Sequence, residues 1–222
     1  KRGGKLEGDR LIYPPNLIEN TIAKHQRVVL LAGQTIENDL HVGGNHVYAG
    51  TGGAAPNLQN SKTNEYVPSK LKDLYNAARL ADRLPHISFF SRSLVAGDVE
   101  DPLEFDLSTA AASLAGTSKH VMVQASHWSH VVAIAELCYK IAGGEESFRK
   151  RPFLSLHVNH AVPPLRFDPA SIKVMIEAVK LGIPVHCNVF GQLGASSPVT
   201  IAGSVSQTLA ENLAGLVAVH IL

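Results

Sequence analysis

The chain has only two cysteines, Cys138 and Cys187, too few for a disulfide framework or a four-thiolate zinc site. That usage suits a reducing cytoplasm. Long blocks of one charge are also missing: 20 Lys and Arg stand against 19 Asp and Glu, a formal net charge of +1. Without concentrated positive charge to meet phosphates, a dedicated nucleic-acid binder is excluded. No apolar run approaches the roughly 18 residues of a spanning helix, and no charged segment leads into an apolar stretch with a small-residue cleavage site. The sequence therefore reads as a soluble, cytoplasmic, unexported protein that does not engage a membrane.

What is present is core material. Of the 222 residues, 45% are hydrophobic, which rules out disorder for most of the chain. The sequence begins at Lys1 and stops at His220, Ile221 and Leu222, inside an apolar run without a cap. Such ends predict a piece of something longer.

The first forty-five residues (1–45) read as a mixed α/β preface. Leu11 to Tyr13 suggests a strand, Leu17 to Lys24 a helix, and Val28 to Leu31 a second strand. Alternation around Leu40 and Val42, then Gly43-Gly44 and Asn45 to Tyr48, predicts a tight hairpin. From His46 a rhythm sets in. Strand candidates are His46 to Gly50, Ile87 to Arg92, His120 to Ala125, Phe153 to His160 and Pro184 to Phe190, with helical patterns between them. Asp168-Pro169 is an N-cap followed by proline at the first helical position, and Gly182 closes that helix. Ser197-Pro198 repeats the device before the last helix, and Ser69 opens a helix over Lys70 to Leu84. Regular βα repetition means a parallel sheet, open or closed into a barrel.

Alternation favours the barrel. Leu154, Leu156 and Val158 share one face of their strand, and Ser155, His157 and Asn159 the other. The same division separates Val121 and Val123 from His120, Met122 and Gln124, and Val185, Cys187 and Val189 from His186 and Asn188. In the earlier strand it sets Ile87 and Phe89 against Ser88, Phe90 and Arg92. Central strands of an open sheet covered on both sides are apolar on both faces. A recurring polar face predicts a lumen that carries a site.

Gly50 to Ala55 follows a strand, but Pro56 to Asn60 is a loop rather than the helix a dinucleotide fingerprint requires. His157 and His160 fall on opposite strand faces and cannot share an ion. His120, His157 and His186 can converge from three strands as metal ligands, although no Asp or Glu joins them on those faces. The other reading is neutral, hydrogen-bonded histidines lining a polar cavity. His127 and His130, flanking Trp128, mark a loop–helix junction. Gly191 to Pro198 would bring Gln192, Ser196 and Ser197 to a helix N-terminus, an environment for a carboxylate or phosphate, or else simply cap the helix.

Several segments resemble one family. Gly50-Thr51-Gly52-Gly53-Ala54, Leu74 to Asp82, Arg151 to Ser155 and Pro163 to Asp168 are similar to the trimethylamine methyltransferase (MttB) family. So are Gly182 to Val185, Ser196 to Gly203 and Ala210 to Gly215, in family order along nearly the whole chain. The resemblance implies an α/β fold, a TIM-like (β/α)8 barrel, with residues 46–222 supplying about five βα units. Five units cannot close an eight-stranded barrel. It also implies methyl transfer from a methylamine, or from a betaine-like quaternary amine, to Co(I) of a separate corrinoid (cobalamin) protein, with no cofactor held covalently in this chain. Any pyrrolysine position would lie beyond Leu222. The expected partners are the corrinoid protein, a small methylated amine and further copies of the chain.

For a betaine, an anion site and a cation-friendly wall are needed. Gln192, Ser196 and Ser197, or else Arg92 by bidentate bonding, would hold the carboxylate. Tyr48, Phe90 and Trp128 are candidates for the wall, and Gln124, His157, Asn159, His186 and Asn188 would shape the pocket. Two other readings stand beside this one: a metal-dependent lyase or hydrolase using the histidines, and an amine-binding protein without turnover.

Overall fold

The computed structural model describes residues 3–221. The chain opens with an antiparallel hairpin, β1 (Lys5–Glu7) with β2 (Arg10–Ile12), followed by helix α1 (Pro15–Lys24). β3 (Val28–Leu31) then pairs antiparallel with β4 (Leu40–Gly43). A third hairpin joins β5 (Asn57–Gln59) to β6 (Tyr66–Pro68). Helix α2 (Leu71–Arg83), β7 (Phe89–Ser91), α3 (Pro102–Gly116), β8 (His120–Val123), α4 (Trp128–Ala142), α5 (Glu145–Lys150) and β9 (Leu154–Val158) follow. A short ribbon of β10 (Ala161–Val162) and β11 (Arg166–Phe167), then α6 (Pro169–Lys180), β12 (Val185–Cys187) and α7 (Ile201–His220), complete the order.

Strands β7, β8, β9 and β12 form a four-stranded parallel sheet in the order β12-β9-β8-β7. The fold is thus mixed α/β with helical crossovers, and closure into a barrel is not seen among the described residues. The expected open end at Leu222 lies outside them.

His46 to Gly50 is not a strand, which corrects the expectation. Residues 49–51 instead lie beside β7 through a single Gly50–Phe89 bridge, with Ser88 N–H donating to Ala49 O at 2.6 Å and Thr51 N–H to Phe89 O at 3.3 Å. The Thr51 hydroxyl then replaces a ladder partner by accepting from Ser91 N–H at 2.9 Å. A Cβ at Gly50 would fall 2.2 Å from the Phe89 ring, so the ring packs directly on backbone.

The hairpin expected to turn at Gly43-Gly44 toward Asn45 to Tyr48 is also corrected, because β4 pairs backward with β3, Val28 opposite Gly43. Here glycine is required twice over: Gly43 has φ 148°, and a Cβ would meet Arg27 O at 2.1 Å.

The face of the sheet that meets the helices is formed by in-register rows such as Phe90, Val121 and Leu154. Val121, Leu154 and Leu156 join Ile134, Phe148 and Met175 in the main core. Phe90 packs separately against Leu74, Ala78 and Ala81 of α2. Full burial of each large side chain is worth about 1.5–3 kcal/mol. The opposite face carries His120, Met122, Ser155, His157 and His186, as alternation predicts. In β7 the phase is reversed: Phe89 and Ser91 are on the inner face, where Phe89 packs with Met122, Leu31 and Leu40, and Phe90 is on the outer. A one-residue shift of phase exchanges every side chain between faces.

Caps account for the helix ends. Asp168 accepts from Ser171 N–H at 2.8 Å and starts α6 as predicted. Ser69 does not cap α2, since its hydroxyl lies between Ala55 O and Val95 O. Asp73 instead accepts from Lys70 N–H and Asp98 from Leu71 N–H. At the other end of α2, the buried Lys119 ammonium donates to Ala81 O and Leu84 O. For α7, the expected start at Ser197-Pro198 is displaced to Thr200, whose Oγ1 accepts from Gly203 N–H at 3.2 Å.

α2 and α3 meet closely at Gly116, where a Cβ would lie 2.5 Å from Ala78 Cβ and 2.9 Å from Tyr75 O. Gly116→Ala is expected to destabilise by about 1–3 kcal/mol through overpacking. Gly52→Ala, with nothing within 4 Å, should change the urea midpoint little, and equal effects at both sites would refute this account.

Candidate functional site

A cavity of about 410 Å³ opens at the carboxyl-terminal tips of the parallel strands. This is the end of a parallel α/β sheet where ligands bind. Its walls include Arg92 beyond β7, Gln124 beyond β8, and His157 and Asn159 at the end of β9. Helix starts supply the rest: Phe105 and Asp106 from α3, and Ser171 and Val174 from α6, with Ser126 from the loop before α4.

Arg92 is half-buried. Its guanidinium donates to Gln124 Oε1 at 3.0 Å and stacks 5.7 Å from the Phe105 ring centroid. Burial pulls its pKa down, opposed by the nearby charge of Asp106; a guanidinium stays charged regardless. Among the described residues it forms no ion pair. Asp106, only 3% exposed, accepts at one oxygen from Ser126 N–H, the Ser126 hydroxyl and His130 Nδ1–H, each at 2.7 Å.

Behind the cavity lies a buried polar file. His120 Nδ1 is 2.8 Å from Ala32 O, and a carbonyl only accepts, so the proton is on Nδ1. Burial pulls the pKa of His120 down to about 4, so it is neutral near pH 7 and its Nε2 is an acceptor. Ser155 therefore donates to His120 Nε2 at 2.7 Å and accepts from His186 Nε2–H at 2.9 Å. Burial, with His157 close by, takes His186 to about 4 as well. His157, depressed by burial and by Arg92, lies 3.3 Å from Ser91 Oγ.

The structure brings four of the expected residues into one wall: Arg92, Gln124, His157 and Asn159. The others are elsewhere. His186 belongs to the file behind the cavity, and Asn188 N–H donates to Val158 O. Tyr48 packs with Leu31, Leu40 and Met122, and Trp128 borders a separate groove with Lys173 and Glu177. Phe90 is corrected outright: it is fully buried against α2 and cannot line a pocket.

In the stretch expected to hold an anion, Gly194 to Ser197, the hydroxyls turn to the chain itself. Gln192 N–H donates to Ser196 Oγ, and Ser197 Oγ bonds Ser204 Oγ at 2.8 Å. Both hydroxyls serve the loop itself, and the helix begins four residues after Ser197. Sequence reasoning missed Phe105, Asp106 and Ser126. The sequence does signal the start of α3, since Asp101-Pro102 is the same device as Asp168-Pro169, with Asp101 accepting from Glu104 N–H, but nothing local marks Asp106 as a cavity residue. His127 and His130 do mark a loop–helix junction, His127 being the N-cap of α4.

No group of three or more His, Cys, Asp or Glu able to hold a metal occurs among the described residues. The inner histidines are committed to serines and a carbonyl. Burial raises the Cys138 thiol to about 12 and Cys187 to about 11, so neither offers a thiolate. The cavity offers a cation with no ion pair among the described residues, an anchored carboxylate and hydrogen-bonding groups, equipment for binding and orienting a charged ligand.

A model of the trimethylamine methyltransferase (MTTB) family matches residues 1–222. The chain belongs to this family. The trimethylamine methyltransferase MttB of Desulfitobacterium hafniense is 28% identical over 204 residues, 92% of this chain and 41% of the relative. That of Methanosarcina barkeri is 31% identical over 152 residues, 68% of this chain and 30% of the relative. A glycine betaine methyltransferase of Desulfitobacterium hafniense is 23% identical over 220 residues, 97% of this chain and 45% of the relative. The chain thus spans less than half the length of these MttB-family relatives.

The neutral histidines of this MttB-family chain make its stability depend on pH. Between pH 6.5 and 4, His120 and His186 bind protons more readily unfolded than folded. Their contribution is full above pH 6.5 and is lost as pH falls, by on the order of 1 kcal/mol per pH unit for each. The depressed carboxylates Asp39, Asp82 and Asp168 act at lower pH. Urea midpoints should therefore fall from pH 6.5 to 4.5; a flat profile there would contradict neutral buried imidazoles.

Proposed function

We propose that the protein is a methyltransferase that moves a methyl group from a quaternary amine of the betaine type to Co(I) of a separate corrinoid protein. Family membership supports methyl transfer. The observation that carries the substrate class is Arg92, a half-buried guanidinium in the cavity wall that forms no ion pair among the described residues. A buried charge is stable when paired, and a substrate carboxylate would complete the pair by bidentate bonding.

The reaction asks little else of the protein. The methyl carbon leaves nitrogen, the C–N electron pair stays on the amine, and the Co(I) electron pair forms the new Co–C bond, giving methyl-Co(III). A quaternary ammonium departs as a neutral amine, so neither general acid nor nucleophile is required. Positioning and charge placement suffice. Gln124 and Asn159 provide orienting hydrogen bonds, and neutral His157 adds polarity without a competing charge. Further strand–helix units beside β12 would extend this sheet toward a (β/α)8 barrel, with the cavity at the mouth that faces the corrinoid protein.

Full-length enzyme mixed with a Co(I) corrinoid protein and a panel of betaines is expected to form methyl-Co(III), followed by absorbance. Arg92→Gln should raise KM for a betaine by about tenfold or more, the scale of a lost charged hydrogen bond, while KM for trimethylamine changes little. No methyl-Co(III) with any methylated amine would sink the proposal. Ligand binding without methyl transfer would mark an amine-binding protein instead.

A further inference from the structure

Asp106 contributes a second charge to the same cavity, opposite in sign to Arg92, and the two do not pair. They line one space of about 410 Å³, yet no ion pair joins them among the described residues. Their charges still act on each other, Asp106 opposing the fall that burial causes in the Arg92 pKa, but each side chain is anchored elsewhere. Arg92 is fixed by Gln124 and by stacking on Phe105. Asp106 is held by both donors of Ser126 and by His130. Left free, a carboxylate and a guanidinium in a partly dry pocket would collapse together, because their attraction grows as the dielectric falls.

From these independent anchors around one cavity we infer that Asp106 is a specificity-determining residue that faces the substrate's ammonium group while Arg92 takes its carboxylate. The inference rests on the betaine reading above and adds the orientation: carboxylate toward β7, methylated nitrogen toward α3. A quaternary ammonium has no N–H to donate, so its recognition depends on charge and fit rather than on hydrogen bonds. An acceptor already occupied by Ser126 and His130 is suited to it, since it supplies negative potential without asking for a donor. The same geometry disfavours an anion whose far end is uncharged.

The test uses three probes with the full-length enzyme, each by calorimetry: glycine betaine, its carbon isostere 3,3-dimethylbutyrate, and tetramethylammonium. Wild type should bind betaine about tenfold or more tighter than the isostere, a difference of about 1.4 kcal/mol. Asp106→Asn, whose amide oxygen can still accept from Ser126, should weaken betaine and tetramethylammonium while leaving the isostere unchanged or tighter. Arg92→Gln should weaken betaine and the isostere and spare tetramethylammonium. Equal weakening of all three probes in D106N would show a merely structural role and overturn the inference. If D106N does not fold, the wild-type comparison decides, and equal affinity for betaine and its isostere overturns it. A wild type that demethylates betaine with no preference over the isostere overturns this inference alone, whereas one that binds no probe overturns the betaine reading with it.

Discussion

One hydroxyl organises the inner face of the sheet. Ser155 is fully buried between two imidazoles and has a single proton to give. The Ala32 carbonyl fixes the proton of His120 on Nδ1, which obliges Ser155 to donate to His120 and to accept from His186. Polarity therefore runs in one direction from β12 through β9 to β8 and out to the preface. Replacing Ser155 with an apolar residue would strand two ring nitrogens, at about 1–3 kcal/mol for each unsatisfied group. Because the chain of bonds ends on Ala32, the preface is tied into the sheet, a tie reinforced where Arg151 grips Asp39 with two bonds of 2.7 and 2.9 Å.

Neutral imidazoles also leave the electrostatics of the cavity to others. His120 and His186 carry no charge near pH 7, and burial, with Arg92 adding to it, pushes the pKa of His157 down as well. At the strand tips Arg92 and Asp106 line the cavity, each anchored by side chains from neighbouring elements. Gln124 follows β8, Phe105 and Asp106 sit on α3, and Ser126 and His130 flank the start of α4. A binding site of this kind depends on long-range packing, since Arg92 and Gln124 are brought together only by the pairing of β7 with β8.

That dependence explains what was legible in the sequence. Alternation placed His120, Ser155, His157 and His186 on one face correctly, because β8, β9 and β12 alternate polar with apolar residues. It failed in β7, where Phe89 and Phe90 are adjacent aromatics and either phase satisfies a hydrophobicity pattern; only tertiary packing, Phe89 on Met122 and Phe90 on α2, separates them. Asp168-Pro169 was readable because its capping partner is three residues away. Asp106 was not, because its partners lie 20 and 24 positions onward. Ser197-Pro198 resembled a helix start in every local respect, but the Ser197 hydroxyl is engaged by Ser204 inside the helix that Thr200 caps. The family resemblance escaped these errors because it rests on local segments in order, which do not require knowing which way a side chain points.

The two ends of the sheet differ in chemistry, and the difference gives the site a direction. Toward the amino-terminal ends, Leu31, Leu40, Met122, Tyr48 and Phe89 pack together over the inner face, and the Ala32 carbonyl closes the polar file. Toward the carboxyl-terminal ends, the wall turns to Arg92, Gln124 and Asn159 around open space. A charged ligand approaching the apolar end would have to shed its hydration against hydrocarbon, at a cost of several kcal/mol. At the other end it exchanges water for fixed charges and amides. A charged ligand therefore meets the cavity from the side of the strand tips and the helix starts of α3 and α6.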